Sequence, residues 1–139
     1  MKSKTFLWVT IALYMLALNS QAQSANNSKP VLEVLYFHAT HRCPTCISIE
    51  ANTRKTLETK FAKELKDGKI KLTVLNAEED KNKKIAEKYG AYGATLILVK
   101  TSGGKEVNED MTNFAFSYSR NQPDKFMDGL KSKIDEMLK

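Results

Sequence analysis

The sequence predicts an α/β domain over residues 31–139, with a central mixed β-sheet flanked by helices. An apolar, β-branched and aromatic run at 31–37 is followed by about twenty helix-forming residues and a second apolar run at 70–76. Two strands joined by such a helix form a βαβ unit, so they should pair in parallel. A third apolar run at 94–99 is separated by a Ser-Gly-Gly turn from a short charged strand at 105–107. That turn predicts an antiparallel hairpin.

The first helix is predicted from Thr45 to about Lys66. Its apolar residues recur mostly at four-residue steps and should form one buried face, namely Ile47, Ala51, Leu57, Phe61 and Leu65. Asp67 and Gly68 should end this helix, because glycine readily adopts the left-handed conformation found at helix ends. In the next strand, alternating residues should point to one side of the sheet, namely Ile70, Leu72 and Val74.

The second half of the domain is expected to begin with another helix, from the acidic turn at 76–80 to Tyr89. Segment 109–121 fits either a strand or a short helix, and the helix is favoured. The closing helix is predicted over 123–138. Its apolar residues lie on one face, namely Phe126, Leu130, Ile134 and Met137 or Leu138.

The first thirty residues are predicted to lie outside the domain. Two lysines precede an apolar block from Phe6 to Leu18, and small residues at Ser20 and Ala22 suit a signal peptidase. We therefore expect residues 1–22 to be a secretory signal and 23–30 a flexible polar tail. The protein should then be exported, either periplasmic or secreted, with no stable membrane insertion after cleavage. The alternative is a retained N-terminal anchor.

The charge pattern argues against a nucleic-acid partner. The whole chain has a formal net charge of +6, and removing Lys2 and Lys4 with the signal leaves +4. Basic residues are interspersed with acids, as in Lys63-Glu64, which is typical of a solvated surface. A nucleic-acid site would need clustered basic residues with interleaved aromatic ones.

The residues with reactive side chains are concentrated between His38 and Cys46, a stretch that holds both cysteines and both histidines of the chain. A dithiol between a strand and a helix is placed to be reactive, because the helix N-terminus stabilises a thiolate. Pro44 fits the first helical turn, which needs no N–H from that residue. A disulfide that closes so short a loop adds little stability, so the pair indicates redox chemistry or metal binding.

The element order and the stretch from Phe37 through Cys43-Pro44-Thr45-Cys46 resemble the thioredoxin fold over nearly all of residues 31–139. Lys88-Tyr89-Gly90 followed by Ala94-Thr95-Leu96 resembles the segment before that fold's third strand. The CPxC form is similar to that of glutaredoxins and some periplasmic disulfide oxidoreductases. More narrowly, F-H-A-T-x-R-C-x-T-C resembles small exported proteins of the ArsF family, labelled nitrophenyl compound nitroreductase subunits. The resemblance implies a redox-active Cys43–Cys46 disulfide and no other cofactor.

Several positions depart from the thioredoxin pattern. His38 and His41 stand where thioredoxins have tryptophans, and Tyr36 stands where they keep a buried acid. Ala94 replaces the cis-proline that faces the dithiol. Because a cis bond without proline costs about 3 kcal/mol, the Gly93–Ala94 bond should be trans. The loop before Thr95, which in thioredoxins usually pairs with the substrate backbone, should then be reshaped, and Ala94 and Thr95 would tune the site.

Thiol–disulfide exchange is the first functional hypothesis. Cys43, beside Arg42, would be the attacking thiolate, and Cys46 would resolve the mixed disulfide. A cationic His38 or His41 nearby would lower the pKa of the Cys43 thiol further. The partners would be protein thiols and disulfides or a dedicated redox partner, and we expect a monomer.

Two alternatives stay open. Cys43 and Cys46, with His41 or His38, would suit a soft or borderline ion such as Cu(I) or Zn(II), or a metalloid. The other alternative is a redox subunit that turns over only with its dedicated partner, which the loss of the cis-proline favours. The direction of the redox reaction depends on the reduction potential, which the intervening Pro44 and Thr45 do not determine.

Overall fold

The structure, a computed structural model, describes residues 31–139. The predicted signal and polar tail lie outside this range. A four-stranded sheet forms the centre in the order β2-β1-β3-β4, with β1 at Leu32–His38, β2 at Ile70–Asn76, β3 at Thr95–Ser102 and β4 at Lys105–Asp110. β1 pairs in parallel with β2, whereas the β1–β3 and β3–β4 pairs are antiparallel. The α/β class, the parallel pair and the hairpin are therefore confirmed.

The helices connect and flank these strands. Their bounds are Pro44–Lys60 for α1, Ala62–Lys66 for α2, Lys83–Lys88 for α3, Thr112–Tyr118 for α4 and Pro123–Leu138 for α5, with a 3₁₀ turn at Asp80–Asn82. The helical interpretation of segment 109–121 is confirmed by α4, although residues 109 and 110 extend β4. No helix within residues 31–139 is long and apolar enough to cross a membrane.

Strand β1 is the most deeply buried element, because both faces of the sheet are covered around it. Its residues Leu32, Val34 and Tyr36 pack in the main core with α1 and α5. The alternate residues Leu35 and Phe37 pack on the opposite face in a smaller cluster with α3. The end of β1 is thus fixed from both sides, and the cysteine-containing loop begins there.

The predicted single helix from Thr45 to Lys66 is wrong, because the chain forms two helices separated by Phe61. That residue leaves the helical conformation at φ −134° and ψ 28°. Its side chain is buried in the main core. Its N–H still donates to the Leu57 carbonyl and its carbonyl accepts from Leu65, so the break loses no backbone hydrogen bond at this residue.

The predicted buried face of α1 is also partly wrong. Ile47 is 53% exposed and Ala51 is exposed, whereas the buried side chains of α1 are those of Ile49, Thr53, Thr56 and Leu57. These positions follow helical spacing, but two of the four are threonines. An analysis of apolar residues alone therefore selects the wrong face.

Candidate active site at the start of helix α1

The two cysteines lie where the chain passes from β1 into α1. Cys43 is the N-cap of α1 and Pro44 is its first residue, as predicted. The structure joins Cys43 and Cys46 in a disulfide, with their Cα atoms 5.0 Å apart. Cys43 is exposed and Cys46 is half-buried, so a partner reaches the first sulfur more easily.

The Cys43 sulfur accepts a hydrogen bond from the backbone N–H of Cys46, over 3.1 Å. The Cys43 sulfur thus accepts the hydrogen bond that a side-chain oxygen commonly accepts at the N-cap of a helix. An N–H directed at sulfur, together with the partial positive charge of the helix end, favours negative charge on that sulfur when the disulfide opens. The first turn of α1 contains no acidic residue to oppose this effect.

Hydrogen bonds connect the loop between β1 and α1 to the end of β2 and to the residues that follow it. The Thr40 N–H donates to the Glu78 carboxylate over 3.0 Å, and the Asn76 side-chain amide donates to the Thr40 hydroxyl over 3.0 Å. The hydrogen bonds from Thr40 lower the pKa of Glu78, and attraction to His41 and His38 acts in the same direction. Glu78 is therefore an anion that anchors the loop.

Arg42 and Tyr36 both approach the Cys46 carbonyl. The buried Tyr36 hydroxyl donates to this oxygen over 2.7 Å, and Arg42 Nη2 lies 3.5 Å from it. The Arg42 guanidinium also lies 5.8 Å from the centre of the Tyr36 ring, within the range of a cation–π contact. Burial raises the pKa of Tyr36 although Arg42 opposes the shift, so the phenol is neutral and acts as the donor.

Arg42 is held by an ion pair as well. Its Nη2 lies 2.7 Å from Glu50 Oε2, and Glu50 Oε1 accepts from Arg54 over 2.8 Å. Burial of Glu50 acts to raise the pKa of its carboxyl, but the hydrogen bonds from Arg54 and Arg42 outweigh it and lower that pKa. The site therefore contains a carboxylate between two guanidinium groups, next to the disulfide.

The remaining predicted site residues, Ala94 and Thr95, lie at the same edge of the sheet. Thr95 begins β3 and pairs with Phe37, next to the last residue of β1. The half-buried Ala94 packs against the main core. Every peptide bond described within 31–139 is trans, which confirms the expectation for Gly93–Ala94.

The two histidines differ in their surroundings. His38 is half-buried, and its Nδ1 lies 2.9 Å from the Ala39 carbonyl. His41 is exposed on the loop. In the part of the chain that the structure describes, no three His, Cys, Asp or Glu side chains form a group able to hold a metal ion.

Sequence reasoning missed Glu50, Glu78 and the role of the Tyr36 hydroxyl. A signal for Glu50 was present, since it is the first acid of α1 and lies one helical turn after Cys46. Glu78 gave no such signal, because its contact with Thr40 joins segments 38 residues apart.

Comparisons with known proteins add little to this geometry. No family model matches the chain, and no curated protein matches it. A solved structure described as that of a malarial protein is similar at 22% sequence identity, over 71% of this chain and 96% of that chain, with a TM-score of 0.44. So loose a likeness is no basis for assigning fold or activity. The described chain is thus defined by its own features, as an α/β protein with a CXXC disulfide at a helix N-terminus.

Proposed function

We propose that this chain is an exported thioredoxin-fold protein that performs thiol–disulfide exchange through Cys43 and Cys46. The observation on which the proposal rests is the hydrogen bond from the Cys46 N–H to an exposed Cys43 sulfur at the start of α1. A sulfur in that position is accessible and has a donor ready for the charge that develops on it. Exported proteins meet oxidising surroundings, where such a pair can act as donor or acceptor of electrons.

The exchange is a pair of displacements at sulfur. A thiolate of the partner attacks Cys43 Sγ, a partner–Cys43 disulfide forms, the Cys43–Cys46 bond breaks and Cys46 leaves as a thiolate. The partner's second thiolate then attacks the partner sulfur of the mixed disulfide and releases Cys43. The partner is oxidised to a disulfide, this chain takes up two electrons, and its two sulfurs take up protons according to pH. In the reverse direction the Cys43 thiolate attacks a partner disulfide and releases one partner thiolate, and Cys46 then attacks Cys43 Sγ and releases the other. The partner disulfide is reduced to a dithiol while the Cys43–Cys46 disulfide re-forms.

The unequal exposure of the two sulfurs supports this division of roles. Cys43 is exposed, whereas Cys46 is half-buried and its carbonyl is held by Tyr36. An incoming protein thiol meets the first sulfur sooner, and the second stays in place for the resolving step. Cys43 is thus proposed as the residue that forms the mixed disulfide.

A redox titration with thiol trapping tests the proposal. The protein is equilibrated in glutathione buffers of graded ratio, alkylated, and scored for free thiols. We expect one reversible two-electron transition, absent in Cys46→Ser. We also expect Cys46→Ser, with a disulfide-containing partner mimic, to accumulate a mixed disulfide that Cys43→Ser does not form. A pair that stays closed across physiological potentials rules out the proposed exchange.

A partner-dependent redox subunit is the second candidate, and the trans Gly93–Ala94 segment favours it. Without a proline at this edge, the loop before β3 differs from the one that thioredoxins use to pair with generic substrates. Turnover of a generic substrate such as insulin disulfides separates the candidates. A generic catalyst reduces insulin, whereas a dedicated subunit equilibrates with glutathione but leaves insulin intact. The resemblance to the ArsF family remains a prediction and names no substrate.

A further inference from the structure

Glu50 is a charged group that sequence reasoning did not place at the site and that pairs directly with Arg42. Its side chain is only 17% exposed, and it lies one helical turn after Cys46 on α1. One carboxylate oxygen pairs with Arg42 and the other with Arg54. Arg42 in turn reaches the Cys46 carbonyl, so Glu50 is linked to the dithiol through a single residue.

Two side chains hold Arg42 near that carbonyl. Glu50 binds its Nη2, the Tyr36 ring lies under its guanidinium, and its Nε is buried without a hydrogen-bond partner. A buried donor without a partner costs free energy, which the other contacts of Arg42 must offset. The ion pair with Glu50 is the strongest contact that keeps Arg42 there.

We infer that Glu50 acts on the dithiol through Arg42: its carboxylate offsets the positive charge of Arg42 beside the first turn of α1, and so favours the disulfide over the reduced pair. This inference rests on the proposed thiol–disulfide exchange. Two residues in direct contact should then have opposite effects, because Arg42 stabilises the reduced pair and Glu50 destabilises it.

The sign follows from the charges of the two redox states. A disulfide is neutral, whereas the reduced pair places negative charge, in part or in full, on the Cys43 sulfur. Nearby positive charge therefore stabilises the reduced pair, and nearby negative charge destabilises it. Other charged or titratable groups at the site are Tyr36, His38, His41, Arg54 and Glu78, and none of them is altered in the comparison below.

The test is the equilibrium of the full chain with glutathione, in which the disulfide and two glutathione thiols give the dithiol and oxidised glutathione. In Glu50→Gln we expect the equilibrium constant for reduction to rise about threefold to tenfold, the size expected for one unit charge within about 10 Å at a partly exposed site. In Arg42→Gln we expect it to fall. Glu50→Asp, which keeps the charge, should stay within about twofold of the wild type.

Two further variants separate charge from general damage. The double variant Arg42→Gln/Glu50→Gln restores the wild-type net charge and should return to within about threefold of the wild-type constant. If Glu50→Gln does not fold, the double variant is compared with Arg42→Gln instead. Asp67→Asn removes a carboxylate beyond α2 that pairs with Lys63, and it should change the constant less than about twofold.

The outcomes distinguish this inference from the proposed function. A wild-type disulfide that never equilibrates with glutathione rejects the exchange itself. A wild type that equilibrates while Glu50→Gln and Arg42→Gln shift in the same direction, or do not shift, rejects only the role of Glu50. The role of Glu50 is also rejected if Glu50→Asp changes the equilibrium constant as much as Glu50→Gln does.

Discussion

Helices α1 and α5 lie against each other in the main core, yet they differ in the kinds of side chain that they bury. The buried positions of α5 are Phe126, Leu130, Ile134 and Met137, all apolar and spaced at three or four residues. The buried positions of α1 include Thr53 and Thr56, while Ile47 remains exposed. α5 therefore buries an entirely apolar face, whereas α1 buries polar as well as apolar side chains and has the disulfide and Glu50 in its first two turns.

The largest expected effect tests the packing role of α5. Leu130 is fully buried, so Leu130→Ala removes a core side chain and leaves a cavity. We expect the free energy of unfolding to fall by about 3 kcal/mol. Denaturant titration measures the loss, and Asp128→Ala, at an exposed position of the same helix, is the control. A loss below about 1 kcal/mol would contradict the packing role of α5, because it would show that Leu130 contributes little to the core.

A smaller effect is expected at Gly129, where α5 meets α4. A Cβ atom placed on Gly129 would lie 2.2 Å from the Phe114 ring, so the glycine makes room for that ring. Gly129→Ala gains helix propensity but forces Phe114 aside, and we expect a net loss of about 1–2 kcal/mol in the free energy of unfolding. In a Phe114→Ala background, which lacks the ring, Gly129→Ala should cause no further loss in the free energy of unfolding. A Gly129→Ala protein more stable than the wild type contradicts this account.

The smallest effect is a gain on α1. The Thr53 hydroxyl is buried without a hydrogen-bond partner, whereas the Thr56 hydroxyl donates to the Asn52 carbonyl over 2.7 Å. Replacing Thr53 with valine removes an unpaired polar group at nearly constant volume, so Thr53→Val should raise the free energy of unfolding by about 1 kcal/mol. Thr56→Val is the matched control and should gain less, because it also loses a hydrogen bond. Equal gains would mean that the hydrogen bond of the Thr56 hydroxyl makes no difference to stability.

The sequence was sufficient for features that depend on neighbouring residues. The apolar spacing of α5, the alternation of Ile70, Leu72 and Val74 toward the main core, and the position of Pro44 at the start of α1 were all predicted and confirmed. Each depends on a local period or on a preference of one residue type. Such patterns are present in the chain before any tertiary contact forms.

Features that depend on distant contacts were not predictable in the same way. The break at Phe61 follows from burying its ring in the main core, and the sequence around it is otherwise compatible with continuous helix. Ile47 is exposed because of the way α1 is oriented in the fold. The hydrogen bond from the Tyr36 hydroxyl to the Cys46 carbonyl is one of the contacts that fix this orientation. The cysteines could be found from their spacing, but Glu50 and Glu78 acquire their roles only through contacts across the fold.

The Ser119 carbonyl, at the end of α4, connects two parts of the molecule that are far apart in the chain. It accepts hydrogen bonds from Ser48 and from Asn52, both over 2.7 Å and across 71 and 67 residues. These bonds tie the early turns of α1 to the connection between α4 and α5. A rigid rotation of α1 would have to break both bonds, so we expect α1 to keep its position relative to α4 and α5 when the disulfide opens.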